Sequence, residues 1–404
     1  MDRNKRIDYI KKIEKKRKSK VITYITSDRI NLNAPIDENA IPHIHKHILE
    51  LTENEREKID LFIYSRGGNS DVPLALVSMF REYTQKGNFS VLIPYKAHSA
   101  ATVISLGADE IVMTKKAELG PIDVTITGPY NPLDERTNNP LPLSVEDVTG
   151  YFSLLEKIGC ERPDEKMKGF ELITQKIHPL VIGKVYRLLE ETKLVANNLL
   201  STRDKPFNQE KNNDIIEKIS SKVFSHRHAI SRTEAKDYIG LEHVKKAEDE
   251  KISNELWGLY EEYNKYFNFD NPFNPEEYLI ENNLNEYQWD NLPLACIEST
   301  KRFDVLSQDV KLRKILNVPP KVDINISNLS LPSININDLP DLPDDITKDE
   351  FIQIISSIVA SVTKNTLSEL INTTVDKLIK QMPQVGYEKA VKKYSWKEVN
   401  EICL

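Results

Sequence analysis

The chain has 404 residues, 39% hydrophobic and 29% charged, with a formal net charge of −7, which suits one large domain with appendages or two to three domains. The acidic balance argues against non-specific nucleic-acid binding, and no nucleic-acid partner is expected. Cys160, Cys296 and Cys403 offer neither a disulfide framework nor metal-ligand spacing, the start lacks a signal-type apolar core, and no apolar run reaches about 18 residues, so a cytoplasmic protein is expected.

Residues 1–20 hold ten Lys or Arg against three Asp or Glu. They read as a basic helix or arm that docks through Tyr9, Ile10 and Ile13, with weak contact to an anionic membrane surface as the alternative. From residue 21 short β-rich runs alternate with helical stretches. VITYIT (21–26), IDLFIYS (59–65), FSVLIP (89–94) and EIVM (110–113) read as strands, and the second and third are apolar enough to be buried on both faces of a parallel sheet. Helices are expected through Ile41–Leu51, through Leu74–Phe80 and over residues 99–107. This βαβα rhythm gives an α/β layered domain. Residues 128–148 read as a loop or flap, and helices resume at about 145–160 and 164–200. The aromatic-rich stretch 251–317 reads as a helical extension with a returning strand at LACIES (294–299). Residues 318–345 read as an extended linker or arm. Residues 346–404 read as a helical tail that opens on a capping box at Thr347-x-x-Glu350 and carries an apolar stripe through Phe351, Ile354, Ile355, Ile358 and Val362. The stripe suits assembly or a protein partner.

Three short motifs follow strands. In Tyr64-Ser-Arg-Gly-Gly-Asn69, two glycines allow backbone N–H groups to point into a cleft, where they can stabilise an oxyanion. An ordinary strand-to-helix turn is the competing reading. In Ala97-His-Ser-Ala-Ala-Thr102, Ser99 stands at a helix start, where free N–H groups favour developing negative charge. Taken alone, it reads better as a plain N-cap. Ala117-Glu-Leu-Gly-Pro-Ile-Asp123 suggests a rigid turn beside the same cleft.

The three motifs in this order, each after a strand, resemble the serine dehydrogenase proteinase family, relatives of signal peptide peptidase A and ClpP. The likeness runs from about residue 20 to 245 and returns weakly at 293–316. It implies a ClpP/crotonase-like spiral of ββα units over residues 21–250 and a serine peptidase that needs no cofactor or metal. It further implies Ser99 as nucleophile, an oxyanion hole from the backbone of Gly67 or Gly68 with Ala100, and Gly120, Pro121 and Asp123 along the cleft. Family members of this fold commonly self-associate, so a homo-oligomer acting on peptide or protein substrates is expected.

Clp-type enzymes place a histidine near residue 121, where this chain has Gly120-Pro121-Ile122. The departure favours a Ser-Lys dyad. A lysine base must be neutral, which calls for desolvation. Lys184 and Lys193 flank the apolar stripe Val181, Val185, Leu188, Val195 and Leu199 of one helix, and periodicity does not separate them. The family frame Val-x-x-Lys-x-x-Arg selects Lys184. His226 and His228 remain competing bases, and His98 adjoins Ser99 but points elsewhere on a helix. His43 and His47 have one-face spacing for a metal without an accompanying carboxylate motif, so no metal is expected. A crotonase-like acyl-CoA enzyme and a non-catalytic assembly module are the alternatives to a peptidase.

Overall fold

A computed structural model describes residues 3–122, 125–134, 136–220, 228–316, 347, 349–359 and 385–399. The chain divides into two compact units. The larger comprises Met1–Asn274, Trp289–Asp309 and Lys392–Leu404, and the smaller Pro275–Gln288 and Val310–Val391.

The chain begins with α1 (Arg3–Arg17), β1 (Lys20–Thr26) and a small hairpin, β2 (Asp28–Arg29) and β3 (Leu32–Asn33). There follow α2 (Ile41–Leu49), α3 (Glu53–Arg56), β4 (Ile59–Tyr64), α4 (Val72–Tyr83), β5 (Phe89–Ile93) and β6 (Lys96–Ala97). Next come α5 (Ala100–Leu106), β7 (Glu110–Met113), β8 (Glu118–Leu119), and a second small hairpin, β9 (Thr125–Ile126) and β10 (Leu143–Ser144). Helices α6 (Val145–Lys157), α7 (Pro163–Thr174), α8 (Pro179–Ser201) and α9 (Gln209–Ser220) lead to β11 (Ile230–Ser231), β12 (Val244–Lys246) and α10 (Ser253–Phe267). The last elements are α11 (Pro275–Glu281), β13 (Glu286–Glu298), β14 (Phe303–Leu316) and β15 (Val385–Glu398).

The main sheet has the order β12-β7-β5-β4-β1-β13-β14-β15. Its first five strands run parallel, and β13 returns antiparallel to β1 with Thr23 opposite Glu298. The parallel pairs require crossovers, which α4 supplies between β4 and β5 and α5 between β5 and β7. Side chains alternate between the two faces. Ile59, Leu61 and Ile63 of β4, with Phe89, Val91 and Ile93 of β5, enter the core beneath α2, α4, α5, α8 and α9. Phe62 and Tyr64, with Leu92 and Val112, enter a second core beneath α1 and α10. Because both faces are covered, these strands read as apolar runs interrupted only at Asp60 and Ser90.

The basic first helix is part of that second layer. Ile10 and Ile13 are fully buried, as expected, but two of its cations are buried with them. Arg17 spans three parallel strands, reaching Asp60 at 2.8 Å, Ser90 Oγ at 3.1 Å and Glu110 at 3.0 Å. Arg6 meets Glu298 at 2.6 Å, and the hydroxyl of Tyr263 donates to the same carboxylate at 2.8 Å. Such charges tolerate burial because each is paired and hydrogen-bonded. The aromatic helix α10, read from sequence as an extension, is a layer of the larger unit: Leu256, Leu259, Tyr263 and Phe267 are buried against the sheet.

The expected helical tail needs correction, because Val385–Glu398 is a strand. Tyr387, Val391, Tyr394 and Trp396 favour the extended chain through their branched or aromatic side chains. β15 ends the sheet on one side, with Lys397 and Glu398 exposed, and the three-residue β12, with Lys245 and Lys246 exposed, ends it on the other.

Within the smaller unit, the rings of Tyr278 and Tyr287 lie 4.9 Å apart and Lys311 pairs with Glu286 at 3.1 Å. Residues 349–359 are helical. The capping box opens that helix: Thr347 N–H donates to Glu350 at 3.1 Å and Glu350 N–H to Thr347 Oγ1 at 3.4 Å. The linker 318–345 and Val362 lie outside the described residues. Among the described residues, no helix is long and apolar enough to cross a membrane.

Candidate active site

The chain leaves β4 through Ser65-Arg66-Gly67-Gly68. Ser65 pairs with Ala97, just before Ser99, in a parallel bridge, and His98 N–H donates to Ser65 O at 3.0 Å. Gly68 pairs in turn with Ile36: Ile36 N–H donates to Gly67 O at 2.8 Å and Asn69 N–H to Ile36 O at 2.9 Å. Two motifs some thirty residues apart in sequence are thereby laced side by side.

Gly67 has φ +102°, and a Cβ added there would lie 2.6 Å from Ser99 Cβ and 3.1 Å from Ser99 Oγ. Only glycine allows this approach and this dihedral. The Gly67 N–H donates to Ser65 Oγ at 3.0 Å and is occupied. Among the described residues, no acceptor is recorded for the N–H groups of Gly68 and Ala100.

Ser99 immediately precedes α5, yet its hydroxyl makes no capping bond. Its φ of 49° and ψ of −117° belong to a sparsely populated region for a residue with a side chain. A conformation of this kind costs about 1–3 kcal/mol and persists only where surrounding bonds enforce it. Here Val103 N–H donates to Ser99 O at 3.0 Å, Ala101 N–H to His98 O at 2.9 Å and Gly120 N–H to Ala97 O at 3.1 Å. All seven residues of α5 are buried, so the serine stands on a rigid support.

Ser99 opens onto a cavity of about 460 Å³. Gly68 and Ala100 line it on the serine side, and α8 forms the opposite wall with Lys184, Leu188, Glu191, Thr192 and Val195. These positions recur at helical spacing on one face. The two lysines left open by periodicity separate here. Lys184 lines the cavity, exposed and without an ion pair among the described residues, whereas Lys193 pairs with Glu190 at 3.1 Å outside it.

The remaining candidates fall elsewhere. Gly120 packs against His98, with a built Cβ 2.8 Å from His98 Cβ. Pro121 is buried, and Ile122 rather than Gly120 or Pro121 reaches the cavity. His98 Nε2 lies 3.0 Å from Glu118, and burial pulls the imidazole below its ordinary pKa despite that carboxylate. His228 is 2.8 Å from Glu234 and does not line the cavity. Asp123 and His226 lie outside the described residues. His43 and His47 face Asp304 at 3.2 and 3.1 Å. Among the described residues, no cluster of three or more metal-ligating side chains occurs.

His47 also holds Ser299, its Nδ1 2.9 Å from Ser299 Oγ. A Ser-His-Asp array therefore exists away from Ser99, but Ser299 is 3% exposed and its oxygen accepts from Lys301 N–H and Arg302 N–H. That array closes the turn between β13 and β14.

Sequence reasoning missed several residues of the cavity. Arg66, Asn69 and Ser70 flank the glycine turn, and Arg66 pairs with Asp28 at 2.9 Å. Thr192 is 7% exposed, and its Oγ1 has no hydrogen-bond partner among the described residues. Glu191 and Thr192 were findable, standing seven and eight positions after Lys184 on one helical face.

Two proteins of Methanocaldococcus jannaschii are similar to this chain. The one named uncharacterized protein MJ1495 is 27% identical over 242 residues, 59% of this chain and 71% of its own length. Uncharacterized protein MJ0137 is 26% identical over 262 residues, 64% and 78% respectively. Residues 1–133, from the first helix past the glycine turn, the serine and the Gly-Pro turn, match the family described as ClpP-like SDH-type serine proteinases.

Proposed function

We propose that the chain is a serine peptidase that cleaves peptide bonds through an acyl-enzyme on Ser99, with Lys184 as general base. The observation that carries this reading is the strained, uncapped Ser99, whose hydroxyl faces the Gly67-Gly68 turn and opens onto the cavity shared with Lys184. Neutral Lys184 takes the hydroxyl proton as Ser99 Oγ bonds to the substrate carbonyl carbon. The N–H groups of Gly68 and Ala100 hold the oxyanion that forms. The Lys184 ammonium then gives its proton to the departing amine as the C–N bond breaks. Water, deprotonated by Lys184, releases the acid product and restores Ser99.

Lys184 is exposed in the free chain, and a lysine is a base only in its neutral form. A peptide lying along the cavity removes water from the ammonium and favours that form. A second copy of the chain packed beside α8 would act the same way, in keeping with a homo-oligomer. The main parallel sheet beside the short sheet β11-β8-β6 is compatible with a ClpP/crotonase-like spiral spanning 21–250. The segment 346–404 is proposed to contact a protein partner.

Labelling with a fluorophosphonate tests the reading. Wild type labels at Ser99; Ser99→Ala does not label; Lys184→Met labels slower by about 10²–10⁴-fold with an unchanged melting temperature, and Lys193→Met behaves as wild type. Wild type that stays unlabelled while hydrating or hydrolysing acyl-CoA would support the crotonase alternative. Labelling unaffected by Ser99→Ala would end the peptidase assignment.

A further inference from the structure

The connection between α8 and α9 and the turn before β12 carry two buried side chains whose polar atoms are incompletely hydrogen-bonded among the described residues. Arg203 is 6% exposed and His243 8%. Arg203 Nε and Nη1, and both ring nitrogens of His243, have no hydrogen-bond partner among the described residues. Phe207 backs both groups. The Arg203 guanidinium carbon lies 4.5 Å from its ring centroid, and the imidazole centroid lies 5.8 Å from it.

The carboxylates of Asp109 and Glu242 attract the Arg203 cation from a distance, but their hydrogen bonds go to other groups. Asp109 holds Arg81 at 2.5 and 3.1 Å and accepts from Asp204 N–H at 2.9 Å. Glu242 pairs with Lys211. Arg81 and Lys211 add their own positive charge to the surroundings of Arg203 and His243. Burial brings the Arg203 guanidinium down to about 10, so it stays cationic at neutral pH. Burial, then the charges of Arg203 and Lys211, push His243 well below its ordinary value and keep it neutral, with one N–H to donate. A water molecule would satisfy a neutral imidazole. It would not neutralise a buried cation, which is among the most costly groups to leave unpaired.

We infer that Arg203 and His243 form a binding site for a single small inorganic anion of halide size. Two N–H groups of Arg203 and one of His243 supply its hydrogen bonds, and Phe207 closes one side. The burial of both side chains favours a small ion over a bulky phosphoester. The bound anion fastens the end of α8, the helix whose middle carries Lys184 and Thr192, to the turn that enters β12.

The test is thermal unfolding at constant ionic strength while chloride replaces gluconate, an anion too bulky for the site. In wild type the melting temperature rises saturably, by about 3 °C at a hundredfold excess over the dissociation constant. Arg203→Met removes the saturable rise and leaves only the general salt response. Crystals of the wild-type chain grown in bromide give an anomalous peak within hydrogen-bond distance of Arg203 Nε or Nη1, and this measurement decides alone if the variant does not fold. Identical chloride curves for wild type and Arg203→Met would overturn the inference. So would a bromide crystal in which water, or Asp109 or Glu242, meets the guanidinium instead.

Discussion

Replacing Gly67 with alanine tests the coupling between the glycine turn and the nucleophile. The added methyl would stand 2.6 Å from Ser99 Cβ and 2.8 Å from His98 O, so Ser99 must retreat by roughly 0.8 Å to reach the 3.4 Å of ordinary contact. At φ +102° alanine also pays a backbone cost of about 1–3 kcal/mol. Stability and reactivity should therefore fall together, but unequally. Displacing a nucleophile by about 1 Å costs about 10²-fold in rate, more than a stability loss of this size imposes on a protein that stays folded. The benchmark is Gly258→Ala on α10, whose methyl would meet the Tyr9 ring at 2.6 Å on the opposite side of the sheet. Overpacking there costs about 1–3 kcal/mol without touching Ser99. Fluorophosphonate labelling of both variants, each checked by urea unfolding, gives the comparison. A folded Gly67→Ala protein that labels at the Gly258→Ala rate would refute the coupling.

Ser299→Ala should keep wild-type labelling while costing about 1–3 kcal/mol in urea unfolding, because His47 Nδ1 loses its buried partner; loss of labelling would make the Ser299-His47-Asp304 array the reactive one. Arg17→Met strands the Asp60 carboxylate, 0% exposed, and should cost about 3–5 kcal/mol, with much of that recovered by adding Asp60→Leu. Equal stability of the single and double variants would contradict the ion-pair account. Burial alone would raise the Asp304 carboxyl, but the His47 hydrogen bond and Arg302 outweigh it and hold it well below its ordinary 3.8. Its contribution is complete above that value and fades as pH falls toward the lower folded-state value. Asp304→Asn should therefore flatten the acid limb of stability against pH, and an unchanged limb would show that Asp304 does not set it.

The reactive centre was largely legible because its demands are local. A glycine pair after a buried strand, and a serine among small residues after the next, announce close backbone approach whatever the tertiary fold. Choosing between Lys184 and Lys193 was beyond periodicity, since both flank the same stripe; the rotation of α8 against α5 decides which of them lines the cavity. The role of α1 was hidden for another reason. Its ten-to-three excess of basic residues describes a surface, whereas Arg6 and Arg17 are buried by acids supplied from Glu298, Asp60 and Glu110, far along the chain. The strand at the C-terminal end was missed because its Lys and Glu residues mask the alternation of an edge that faces water on one side.

The borders of the sheet bear on how copies of the chain can meet. One border is three residues long with two exposed lysines, and the other carries exposed Lys397 and Glu398. Charged side chains at both borders, and the shortness of β12, oppose the addition of further strands there. Contacts between copies are therefore expected on surfaces other than these two borders.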